Sequence, residues 1–182
     1  TMPYDGMSQQ QFAQRLIDEY KTAGVSADAV WPQSFNLGDI QYWMEHEPEF
    51  GRQAVYLEDA EDASQLPDAA EFKHLRAQGV RIWAPPLFAL LALDDHGAIV
   101  ASPSARAARA AGLELVTWSV ERSGPLGPGH SGWYYQTVDA ALRNDSDVLK
   151  VLDVLARQVG VRAVFSDWPA TTTFYANCVG LH

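Results

Sequence analysis

Ser102-Pro103-Ser104-Ala105-Arg106-Ala107-Ala108-Arg109-Ala110-Ala111-Gly112 runs without a break into Leu113-Glu114-Leu115-Val116-Thr117-Trp118-Ser119-Val120. A hydroxyl residue at 102, a proline in the first helical position and a glycine at 112 are the start and stop signals of a short helix. The segment that follows is rich in β-branched and aromatic residues and reads as a strand. One such helix–strand unit is weak evidence by itself, but it is repeated along the chain.

Upstream, Ser8 with Gln11 three residues on forms a capping box, after which Phe12, Leu16, Ile17 and Tyr20 line one helical face until Gly24. A short strand ends at Gln33-Ser34. Asn36 caps the next helix, with Leu37, Ile40, Trp43 and Met44 facing inward. Gln53 to Glu58 is a strand leading into an acidic loop, Glu58-Asp59-Ala60-Glu61-Asp62. Pro67 opens a helix bearing Phe72 and Leu75, Gly79 closes it, and Val80 to Ala84 is a buried strand. Downstream, a long connection over 122–143 carries the aromatic knot Trp133-Tyr134-Tyr135. Asp145 caps a helix with the stripe Val148, Leu149, Leu152 and Leu155, and Val161 to Ser166 is the last strand before a terminal helix. Five strands alternating with helices predict an α/β domain with a parallel sheet, a single domain over 1–182 with no linker or internal repeat.

Composition narrows the function classes. The chain has 182 residues, 47% hydrophobic and 20% charged, with a formal net charge of −10. That balance argues against nucleic-acid binding, which draws on basic patches. A phosphodiester substrate remains compatible, since a bound divalent cation reverses the local field. The longest apolar run, Leu87 to Leu93, is too short for a membrane span. The start, Thr1-Met2-Pro3, shows no signal peptide, so localisation is open; an upstream part bearing a signal would make the protein periplasmic or secreted. The single cysteine, Cys178, makes no intrachain disulfide.

Three segments at strand ends carry a resemblance: Gln33-Ser34-Phe35, Trp118-Ser119-Val120-Glu121 and Ser166-Asp167-Trp168-Pro169. Their order and wording resemble the later strands of the glycerophosphodiester phosphodiesterase family, with Ser119, Glu121 and Ser166 as departures from the family's residues. The resemblance implies a (β/α)8 TIM barrel of which this chain supplies the last five βα units. A complete barrel of this type needs about 250 residues. It further implies hydrolysis of a glycerophosphodiester to an alcohol and glycerol 3-phosphate. Two catalytic histidines and a divalent metal, Ca or Mg, would do the chemistry. The family's histidine and metal-carboxylate motifs have no counterpart here, so no catalytic residue and no metal ligand is assigned to this chain. The implied partner is an N-terminal portion of the same barrel, as a separate or cleaved polypeptide, and the chain alone is expected to be inactive.

What the chain would contribute is a pocket wall. Gln33 offers an amide to a glycerol hydroxyl or phosphate oxygen, against the plainer reading that it bonds nearby backbone. Trp118 offers a flat apolar face, against core filling, and Trp168 a stacking surface at the rim, against helix packing. Phe35 reads as core from its residue type, and the motif sets it beside Gln33 on the wall. Asp167 reads as a helix cap or the partner of a base. His46, His74, His96, His130 and His182 all read as solvated, and Glu58 and Asp59 as a rim or a solvated loop. Two rival readings stand: an inert fragment or partner subunit completing another chain, and a TIM-barrel glycoside hydrolase using carboxylates such as Glu58 and Glu121.

Overall fold

The computed structural model describes residue 3 and residues 5–181; Thr1 and Met2 at the chain start and His182, each read above, lie outside the described residues. Helix α1 (Gln9–Thr22) opens on the expected capping box: the Ser8 hydroxyl accepts from the Gln11 amide, and the Gln11 side chain accepts from the Ser8 amide at 2.8 Å. Its buried face agrees with the expected one at Ile17 and, half-buried, at Tyr20, but is rotated toward Ala13. Ala13 and Ile17 are buried, while Phe12 and Leu16 are 44% and 37% exposed. The cause is the Trp43 indole N–H, which donates to the Ala13 carbonyl at 2.9 Å and draws that side of the helix inward.

Strand β1 (Gln33–Ser34) leads to α2 (Leu37–His46), capped by the Asn36 side chain accepting from the Gly38 amide. A one-turn helix, α3 (Pro48–Gly51), precedes β2 (Val55–Leu57). Helix α4 (Ala69–Ala77) begins two residues after Pro67. The Asp68 carboxylate accepts from the amides of Ala70 and Glu71 and outcompetes proline as the start signal. After β3 (Ile82–Ala84) comes an antiparallel hairpin that sequence reading did not anticipate, β4 (Leu91–Leu93) and β5 (Ile99–Ala101). Its turn is set by Asp94, whose carboxylate accepts from the amides of His96 and Ala98, and by Gly97 at φ +77°.

Helix α5 (Pro103–Ala110) and β6 (Glu114–Thr117) follow as expected, with the Ser102 hydroxyl accepting from the Ala105 amide. The long connection is packed and ordered. Leu126, Ser131, Tyr135, Val138 and Leu142 are buried, and the Tyr135 hydroxyl donates to the Val120 carbonyl, tying the connection back to the end of β6. Asn144, not Asp145, caps the next turn, which continues into α6 (Val148–Val154) and a π-helical turn over Leu155–Val159. Strand β7 (Ala163–Val164) and helix α7 (Pro169–Val179) end the chain.

Five strands form one parallel sheet in the order β1-β2-β3-β6-β7. This corrects the expected (β/α)8 barrel: among the described residues the sheet is open, β1 and β7 each pair on one side only, and no barrel closure is formed. The sheet curls instead. Five strands laid flat would hold their edges about 19 Å apart. Yet the Arg162 guanidinium, just before β7, lies 4.9 Å from the ring centre of Trp31, just before β1.

Side chains alternate between the two faces. Trp83 and Leu115 enter the large core shared with the helices, where Phe72 meets Trp83 edge-on at 4.7 Å. Val55, Ile82, Ala84 and Val116 form a second, smaller core on the other face, together with Leu57, Trp118, Ala163 and Phe165. Only strand residues and their immediate extensions build that inner core.

Helix α3 sits so close to α2 that Gly51 has no room for a side chain. A Cβ there would lie 2.5 Å from the Trp43 carbonyl oxygen and 2.6 Å from the Met44 Cα. Gly51→Ala is expected to lower the unfolding free energy by about 1–3 kcal/mol through this overpacking, read as a reduced urea midpoint at unchanged slope.

Candidate functional site

Residues at the carboxyl ends of β1, β2, β6 and β7 converge on a cleft of about 370 Å³. In open α/β sheets this end of the strands is where ligands bind. The walls are Phe35, Leu57, Trp118, Tyr134 and Phe165, with Gln33, Ser119, Arg122, Ser166 and Asp167 supplying polar groups. The curl is what brings Gln33 of one edge strand opposite Phe165 beyond the other.

Trp118 organises the site. Its indole N–H donates to the Ala84 carbonyl at 2.9 Å, which fixes the ring across the end of β3. Phe35 meets it at 6.1 Å with the planes at 89°, and Tyr134 at 5.9 Å and 77°. Trp133, packed on Phe88 and Tyr134, supports the ring from behind at 5.9 Å. The peptide between Trp118 and Ser119 is cis.

Three of the four wall residues expected from sequence therefore share one cleft. Gln33 is exposed and its side chain bonds no described residue, so the plainer reading of that amide does not apply. Phe35 is 51% exposed and is not core. Trp118 is half-buried, anchored by its nitrogen yet open to the cleft. Trp168 is 68% exposed and stands outside this lining, beside Pro169 at the start of α7.

Asp167 pairs with a base, as read: its carboxylate accepts from the Arg122 guanidinium at 2.7 Å. That hydrogen bond holds the Asp167 carboxyl below the usual aspartate range and raises Arg122. Glu121 accepts from the Ser166 hydroxyl at 2.6 Å and from the Asp167 amide at 3.1 Å. Sequence reading missed Tyr134, Phe165 and Arg122. Phe165 was within reach, because strand alternation places it two positions beyond Ala163 on the inner face. Tyr134 arrives through the folding of the long connection, which no local pattern encodes.

A divalent metal does not fit these residues. Among the described residues no group of three or more His, Cys, Asp or Glu is placed to hold one. The cleft's one lining carboxylate, Asp167, is already engaged by Arg122, and the neighbouring Glu121 by Ser166 and backbone. Of the histidines, His46, His74, His96 and His130 are exposed and none lines the cleft. His130 bonds the Pro128 carbonyl within its own loop.

Glu58, the other candidate carboxylate, is 9% exposed and lies outside the cleft lining. It accepts from the Trp83 indole N–H at 3.3 Å and from the Asp59 amide at 3.1 Å. Burial pushes its carboxyl above the ordinary glutamate range, more than these hydrogen bonds pull it down. The folded chain thus holds this proton more tightly than the unfolded chain does. The contribution of this group to stability is fully present below its unfolded-state value and is lost as pH rises through the folded one. Glu58→Gln is expected to raise stability at neutral pH and to flatten that fall, measured by urea unfolding from about pH 4 to about pH 7.

No helix among the described residues is long and apolar enough to cross a membrane. No family model matches the chain. A protein of Arthroderma benhamiae named "Extracellular protein" is 45% identical over 185 residues, a match that takes in 99% of this chain and 76% of that protein. At that identity and coverage, the chain belongs to the family of the Arthroderma benhamiae extracellular protein.

Proposed function

We propose that the cleft at the strand ends is a binding wall for the glycerol or alcohol portion of a small phosphodiester, and that this chain holds such a molecule without cleaving it. The observation that carries the reading is the convergence of Gln33, Phe35 and Trp118, from two of the three motif segments, on one cleft. An unengaged amide beside an aromatic face suits a polyol: the amide exchanges hydrogen bonds with hydroxyls while the ring covers the carbon skeleton. Hydrolysis would need a general acid and base, and the cleft holds no histidine and no free carboxylate to serve as either. Catalytic histidines and metal carboxylates would therefore have to come from residues outside this stretch of sequence, set against the cleft.

Titration with glycerophosphoglycerol, followed by tryptophan fluorescence, is expected to give saturable binding that Phe35→Ala weakens. Incubation of the same diester with the chain and Ca²⁺ or Mg²⁺ is expected to release no glycerol 3-phosphate. Metal-dependent turnover by the chain alone would overturn the second half of the proposal.

We also propose that the protein is exported, on the strength of the 45% identity to a protein named as extracellular. Expression of the native gene in its own host, with fractionation, should find the protein in the culture medium. Retention inside the cells would refute this.

A further inference from the structure

We infer that Asn144 is a modification site, the acceptor of an N-linked oligosaccharide joined through its reducing-end N-acetylglucosamine. The inference rests on the proposal of export, because the sugar donor is met on the secretory route of a eukaryotic cell. Asn144-Asp145-Ser146 has the acceptor pattern: an asparagine, a residue other than proline, then a hydroxyl residue. The chain has three asparagines, and Asn36-Leu37-Gly38 and Asn177-Cys178-Val179 lack the hydroxyl.

So short a pattern recurs by chance, and its placement decides. Residues 143–146 are all exposed, between Leu142 and Asp147, which are both buried. Those two anchors hold the turn at the surface: the Asp147 carboxylate accepts from the Arg143 amide at 2.6 Å and pairs with Lys150 at 2.6 Å. Asn144 also caps this turn, and the plainer reading is that capping is its whole role. Capping uses only the side-chain oxygen, which accepts from the Ser146 amide at 3.0 Å and from the Ser146 hydroxyl. Aspartate or serine supplies such an oxygen equally well. What asparagine adds is Nδ2, which bonds no described residue and belongs to an exposed side chain. In the transfer, Nδ2 forms a bond to the anomeric carbon of a lipid-pyrophosphate-linked oligosaccharide. The bond from that carbon to the pyrophosphate oxygen breaks, the lipid pyrophosphate leaves with the electron pair, and one Nδ2 proton is released. Oδ1 is untouched, so the product keeps its cap. Neither Asn144 nor Ser146 lines the cleft at the strand ends, so the bulky, solubilising sugar leaves that site open.

The test is expression of the native gene in its own host, with mass spectrometry of the protein before and after treatment with peptide-N-glycosidase. The expected result is a mass above that of the bare polypeptide, which the enzyme removes while converting Asn144 to aspartate. Asn144→Gln should abolish the added mass. Ser146→Ala should abolish it too, and it keeps the Asn144 oxygen on the backbone amide, so loss of the cap is not the cause. Ser146→Thr should retain the sugar. A secreted protein with Asn144 bare would overturn the inference and leave export in place. Added mass that persists in both Asn144→Gln and Ser146→Ala would overturn it by placing the sugar elsewhere. A protein held inside the cells with Asn144 modified would support the site and refute release to the medium. A protein held inside the cells with Asn144 bare would overturn both readings.

Discussion

A parallel sheet has to be covered on both faces, because its strands are joined by helices that pack against it and its apolar residues point both ways. Here the helices cover only one face. The other is covered by curvature: Val55, Ile82, Ala84 and Val116 turn toward one another and bury themselves almost completely. Everything at the carboxyl end depends on that curl. It brings the two edge strands within side-chain reach, and the cleft is the space left above the inner core where the walls diverge.

The edges of such a sheet carry unpaired backbone groups and invite pairing with other chains. Both edge strands here are only two residues long. Arg162 reaches from the β7 side to the face of Trp31 on the β1 side and also binds Glu114. A charged side chain lying over the opening at the amino end is one of the devices by which proteins protect an edge. The amino end is thus stoppered, and the carboxyl end is left open.

Much of the local structure was legible in the sequence. The Ser8–Gln11 capping box, the Asn36 cap and the Ser102–Gly112 helix appear as read, because each rests on contacts within four residues. Errors arose where distant groups decide. The inward face of α1 is set by the Trp43 indole thirty residues away; the start of α4 is a different case, a local competition that Asp68 wins over the neighbouring Pro67. The β4–β5 hairpin was hidden in an apolar run whose period does not separate strand from buried helix. The barrel expectation failed for a global reason: strand count and closure belong to the whole sheet and are invisible in any one motif. At the site, strand-end residues were legible because β periodicity fixes where they point. Tyr134 was not, since the 3₁₀ turns that carry it are held by the buried Tyr135 and by Asp139 bonded to Gly129 and Ser131.

The inner core also works as a keystone. Gln33 and Phe165 hang from opposite ends of the arch, and the span between them is determined below the cleft by how closely Val55, Ile82, Ala84 and Val116 nest. The aperture is therefore governed by aliphatic side chains that no occupant ever touches. Drift in the size of those four side chains would open or narrow the mouth while leaving every lining residue unchanged, so relatives with identical walls can still differ in the girth of what they admit.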